Sequence, residues 1–179
     1  MNRIWLTLGV LVLGMVTSQA SEFERLERDF SGTTWLLNPQ YKVSPSGKVR
    51  EAIDNGIVVN FVMQVKLYAS KNWWFDSMLE HQAQTFAVRY FSLSSQYQLN
   101  NLRTKEKQSF ITLDQLLDHL GQQTVFEFNA NQDADYLSTR LFLDKQALPS
   151  TMQLPIVFDA DWNLNTDWQQ VPLNTGKQP

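Results

Sequence analysis

The chain has 179 residues, 18 acidic and 15 basic side chains, a formal net charge of −3 and no cysteine. That length supports one domain with a sizeable core, and 43% hydrophobic against 18% charged residues describes a folding chain rather than a disordered one. Disulfides, thiolate nucleophiles and thiolate metal sites are excluded, and the mild acidity argues against a nucleic-acid partner.

Residues 1–20 read as an export signal. Arg3 supplies the positive start, residues 4–16 are mostly apolar, and Ser18-Gln19-Ala20 offers the small residues a signal peptidase reads. Cleavage is expected after Ala20, giving a periplasmic protein; the alternative is an uncleaved segment that anchors the chain in the inner membrane. The apolar run falls short of the ~20 residues that span a bilayer. Ser21 stands where a lipoprotein needs Cys.

Residues 21–30 space Phe23, Leu26 and Phe30 three and four apart among charges, which predicts a short helix or a tether. Residues 33–43 turn to β character, and Pro39 marks that strand as an edge type. Ser46 as cap, the apolar face Val49, Ala52 and Ile53, and the stop at Gly56 predict a short helix. Ile57, Val59, Phe61, Met63, Val65 and Leu67 then occupy every second position, the clearest strand in the chain, with Asn60, Gln64 and Lys66 on its other face.

Residues 85–90 and 96–100 alternate again and read as a hairpin pair across Ser94-Ser95. Residues 100–109 are polar. Thr112 caps a second helix whose buried stripe is Leu113, Leu116, Leu117 and Leu120. Residues 124–128, 136–143, 152–158 and 168–173 are further strand candidates, with a polar loop over 129–135. About seven or eight short strands without regular strand–helix alternation predict a mainly β, two-layer antiparallel β-sandwich with two short helices. The expected organisation is a signal peptide (1–20), a tether or short helix (21–30), a single β-sandwich domain (31–173) and a C-terminal tail (174–179).

No constellation of catalytic groups stands out. Asp159, Asp161, Asn163, Asn165 and Asp167 place oxygen donors at every second position, as in a calcium loop, but Leu164 and Gln170 hold the places of its turn glycine and bidentate Glu. An extended segment with Trp162 and Leu164 inward is the simpler reading. Asp133 with Asp135 and Asp114 with Asp118 pair carboxylates only in sequence, so solvated surface is expected of them. His81 and His119 lack nearby partners in sequence and are read as structural. The basic run Arg103, Lys105 and Lys107 is read as a solvated loop. Phosphate loops, nucleophile elbows and zinc-binding helices have no match, so no catalytic residue, metal or cofactor is expected.

Aromatics are the excess. Trp73-Trp74-Phe75 follows the long strand, and adjacent residues of an extended backbone point to opposite faces, so one Trp of the pair needs cover outside the core. Trp73, Trp74 and Phe75 are therefore the candidate partner-binding residues, with core and rim packing as the competing role.

The order "AIDNGIVVNFVMQVKL", "WWFD", "QTFAVRYFSLSSQYQL", "SFITLDQLLDHLG" and "LPIVFDADWNLNTDWQQVPL" resembles the proteobacterial family called domain of unknown function 4390. The resemblance implies an exported protein of unknown activity, often encoded near a nitrogen-regulation-type sensor histidine kinase, and carries over no catalytic residue. The expectation is a non-catalytic envelope binding or accessory module, its partner an envelope protein such as the periplasmic part of a sensor kinase. Membrane contact is expected only if the N-terminal segment stays uncleaved. The alternative is a periplasmic protein that handles carbohydrate or a small ligand, or a hydrolase using an acidic pair.

Overall fold

The computed structural model describes residues 21–71, 75–129 and 134–173. The described strands form two antiparallel sheets. The smaller comprises β1 (Glu22–Ser31), β2 (Thr34–Lys42) and β7 (Phe126–Asn129), in the order β1-β2-β7. The larger comprises β3 (Val59–Ala69), β4 (Ser77–Phe91), β5 (Gln96–Asn101), β6 (Lys107–Phe110), β8 (Tyr136–Leu143) and β9 (Gln169–Pro172), in the order β6-β5-β4-β3-β8-β9. This is the mainly β, sandwich-like architecture that the alternation predicts.

β3 is the spine of the larger sheet, paired with β4 on one side and β8 on the other. Its alternation decides its orientation: Val59, Phe61, Met63, Val65 and Leu67 are all buried. Each such side chain removed from water contributes about 1.5–3 kcal/mol. A slip of one residue would turn the whole set to solvent, so the register is strongly fixed. Leu37, Tyr41, Phe126 and Phe128 of the smaller sheet join the same core, and the Tyr41 hydroxyl meets Thr139 Oγ1 of β8 at 2.9 Å.

The two predicted helices form where their caps place them. In α1 (Gly47–Asp54) the Ser46 hydroxyl accepts from Val49 N at 3.3 Å, and Gly56, with φ of +79°, reverses the chain after it. In α2 (Leu113–Gln122) Thr112 accepts from Gln115 N at 3.3 Å, and the four leucines of the stripe are buried. Both helices send their apolar faces into the core, α2 against β2 of the smaller sheet and α1 against β3 and β4 of the larger. Among the described residues, no helix packs on the opposite face of the larger sheet.

Four elements depart from the sequence reading. Residues 21–30 are neither helix nor tether but strand β1: a bulge between Phe23 and Arg25 adds one residue, so Phe23 and Leu26, three apart, both pack against the core. Residues 152–158 are not a strand; α3 (Ser150–Val157) takes their place, tied down where Gln153 Nε2 donates to the Gln146 and Leu148 carbonyls at 2.8 and 2.7 Å. A short apolar run does not distinguish strand from helix by periodicity. Residues 107–110 form edge strand β6, at the end of a segment read as polar, with its basic run 103–107 read as a solvated loop. β2 is the middle strand of its sheet rather than an edge, although β7 pairs only with Thr34 to Leu37, so Pro39 lies where β1 is the sole neighbouring strand.

Candidate functional site

The positions of β3 between its buried side chains point outward, and the ladders extend that face across the sheet. Gln64 lies opposite Arg140, Lys66 opposite Ser138 and His81, and Tyr68 opposite Tyr136 and Met78. Farther along, Arg89 and Lys107 point the same way from β4 and β6. None of the outward strand positions of the larger sheet is Asp or Glu, although the chain as a whole is acidic.

Near the β8–β9 side the cations rest on rings. Lys66 Nζ lies 4.3 Å from the centroid of Trp168, and the Arg140 guanidinium lies 4.5 Å from Trp168 and 4.6 Å from Phe142. Arg140 Nε donates to Gln64 Oε1 at 2.9 Å, which fixes the plane of the fork. Ring contacts hold a cation without neutralising it. Among the described residues, Lys66, Arg89, Lys107 and Arg140 form no ion pair with a carboxylate.

Among the described residues, carboxylates lie at the ends of this face, and they are engaged. Asp76 accepts from the Tyr136 hydroxyl at 2.7 Å and from Lys71 N at 3.3 Å; Asp144 accepts from Gln146 N at 3.0 Å. The bond to Asp76, with burial as a smaller cause, pushes the Tyr136 hydroxyl up to about 12. Tyr136 stacks on Tyr68 with ring centroids 5.1 Å apart. Beside this end Phe75 is 95% exposed and Met78 55%.

The residues singled out in the sequence are scattered. Trp73, Trp74 and Asp133 lie outside the described residues. Asp114 is exposed and pairs with Arg50 at 2.7 Å, Asp118 is exposed on the same helix, and Asp135 accepts from Ser70 N at 2.7 Å. Asp159 and Asp161 of the calcium-like segment both face Lys48, at 2.8 and 3.0 Å. That hydrogen bond holds Asp159 below the usual carboxylate range and pushes Lys48 up to about 12. Trp162 and Leu164 are buried as their alternation predicts, although a 3-10 turn, Ala160–Trp162, replaces extended backbone at the start. Among the described residues, no group of three or more His, Asp or Glu is placed to hold a metal ion.

A cavity of about 230 Å³ opens on the inner side, between β4, β5 and the end of α2, lined by Gln84, Asn101, Glu106, Gln108, His119 and Gln123 among others. Burial lowers the His119 pKa, and its ring lies 5.2 Å from Phe110. Gln84 is used up structurally: its Nε2 donates to the Val125 carbonyl and its Oε1 accepts from Asn101.

These features define a mainly β, two-sheet protein whose distinctive surface, among the described residues, is a sheet face of cations stacked on aromatic rings with no carboxylate paired to them. The chain belongs to the family described as domain of unknown function (DUF4390), which matches residues 18–172. Neither the curated proteins nor the solved structures yield a match. Among the described residues no helix is long and apolar enough to cross a membrane.

Proposed function

We propose that this protein is an exported, non-catalytic binding module of the cell envelope, and that the outward face of the larger sheet is its docking surface. The observation that carries this reading is the Lys66, Trp168, Arg140 and Phe142 stack, in which two cations are held in place by rings and left without a carboxylate. A fixed guanidinium fork gives an incoming acid a pre-oriented pair of donors at low entropic cost. Export rests on Arg3, the apolar run and Ala20, and the association with a membrane sensor kinase rests on the family resemblance alone. The exposed Phe75, next to Asp76 at the end of the face, is included in this reading; Trp73 and Trp74, outside the described residues, enter it as sequence candidates only.

Crosslinked capture from native envelope tests the reading. The wild-type protein retains a partner that the Lys66→Gln/Arg140→Gln variant loses, while Lys42→Gln, which removes a charge from an exposed position on the smaller sheet, retains it. Equal capture by all three contradicts the docking surface.

A second reading is favoured by the cavity at His119, whose amide-rich wall suits a small polar ligand such as a sugar. At about 230 Å³ it lies below the ~300 Å³ of an ordinary ligand pocket, which ranks it second.

A further inference from the structure

We infer that the outward face of the larger sheet docks on an anionic phospholipid surface; the inference rests on the binding-module reading above and names the chemistry of one partner. Lys66, His81, Arg89, Lys107 and Arg140 point outward with no Asp or Glu among them. Elsewhere acids outnumber bases: Glu22, Glu24, Glu27 and Asp29 against Arg25 and Arg28 on β1, and Asp114 and Asp118 with no Lys or Arg on α2, while α1 is balanced. A molecule so divided turns its cationic face toward a negative plane and its acidic layer away from it.

Six strands at ~4.8 Å spacing make a platform roughly 25 Å across. A bilayer is the partner that meets such a platform over its whole width.

Apolar side chains accompany the cations at one end of the face. Phe75 is 95% exposed and Met78 55%, and Met78 sits opposite Tyr68 on the outward face. An acidic peptide or an acidic polysaccharide is satisfied by the cations alone and gives these side chains no role. At a membrane interface, apolar and aromatic side chains enter the headgroup boundary while Lys and Arg meet the lipid phosphates.

The test uses the protein produced from its full sequence and co-sedimented with vesicles of phosphatidylcholine, alone or with about 40% phosphatidylglycerol. Binding is expected only with the anionic vesicles and weakens as salt rises. Lys66→Gln/Arg140→Gln lowers the affinity about 25-fold, at about fivefold per cation, and Lys107→Gln, which breaks no side-chain contact, lowers it about fivefold while melting as wild type. Phe75→Ser also weakens binding, and Lys42→Gln has no effect. Absence of binding, equal binding to both vesicle types, or an equal loss from Lys42→Gln overturns the inference. Binding to soluble polygalacturonate without binding to vesicles reassigns the face to an acidic glycan and also overturns it. If vesicles are not bound but the Lys66→Gln/Arg140→Gln variant still loses its crosslinked envelope partner, the lipid inference fails while the docking surface stands. If neither property changes, both fail.

Discussion

Gly121 marks the point where α2 presses its backbone onto β2. A Cβ built there collides with the Tyr41 carbonyl oxygen and also meets Val43. Helix propensity alone would favour Ala at this position by about 1 kcal/mol, but overpacking against a backbone atom costs about 1–3 kcal/mol and also disturbs Tyr41, the side chain that bridges the two sheets. Gly121→Ala is therefore expected to lower the unfolding free energy by about 2 kcal/mol in denaturant titration. An unchanged or raised midpoint would show that the helix stands off the sheet. Lys66 and Arg140 illustrate the opposite case, in which a residue's meaning comes from what surrounds it. Each is an unremarkable polar position along its own strand; only the β3–β8 register and the return of Trp168 bring them onto one ring.

The elements that could be read from sequence are those with a strong local signal. β3 alternates without a break, and both capped helices carry a hydroxyl at the start and a continuous apolar stripe. A direct check on β3 compares Val65→Asp with Lys66→Asp. The first buries an unpaired carboxylate and is expected to cost about 4 kcal/mol. The second loses the contact with Trp168 and costs about 1 kcal/mol, more than a bare surface lysine would. Equal denaturant midpoints would overturn the strand's orientation. Other elements were illegible because tertiary partners replace the expected pattern. The first half of β4 is polar on its inward side since Gln82 and Gln84 donate to the Glu127 and Val125 carbonyls, both at 2.7 Å, at the edge of the smaller sheet. Those two glutamines join the sheets through hydrogen bonds where apolar contact would have left a visible alternation. In β1 the bulge imitates a helical spacing, and β6 is held by its ladder to β5 with little burial of its own.

At the scale of the whole molecule, the two faces of the larger sheet have divided roles. The inward face carries the core, and its polar exceptions are consumed in hydrogen bonds. The outward face holds cations on rings, excludes acids from its strands and carries the half-exposed Met78 opposite Tyr68. The sequence indicated an aromatic binding surface through Trp73, Trp74 and Phe75, but the cationic stack stayed hidden because Gln64 and Arg140, in direct contact, are 76 positions apart in the chain. The acidic net charge concealed it further, since composition averages over faces that the fold separates. The most direct measurement of the central claim is site-specific photocrosslinking in the native envelope, with the crosslinker at Gln170 on the outward face or at Glu51 on α1, both exposed positions. Adducts from position 170 and none from position 51 are the predicted result; adducts from position 51 with none from position 170 would place the partner on the opposite layer and contradict the account.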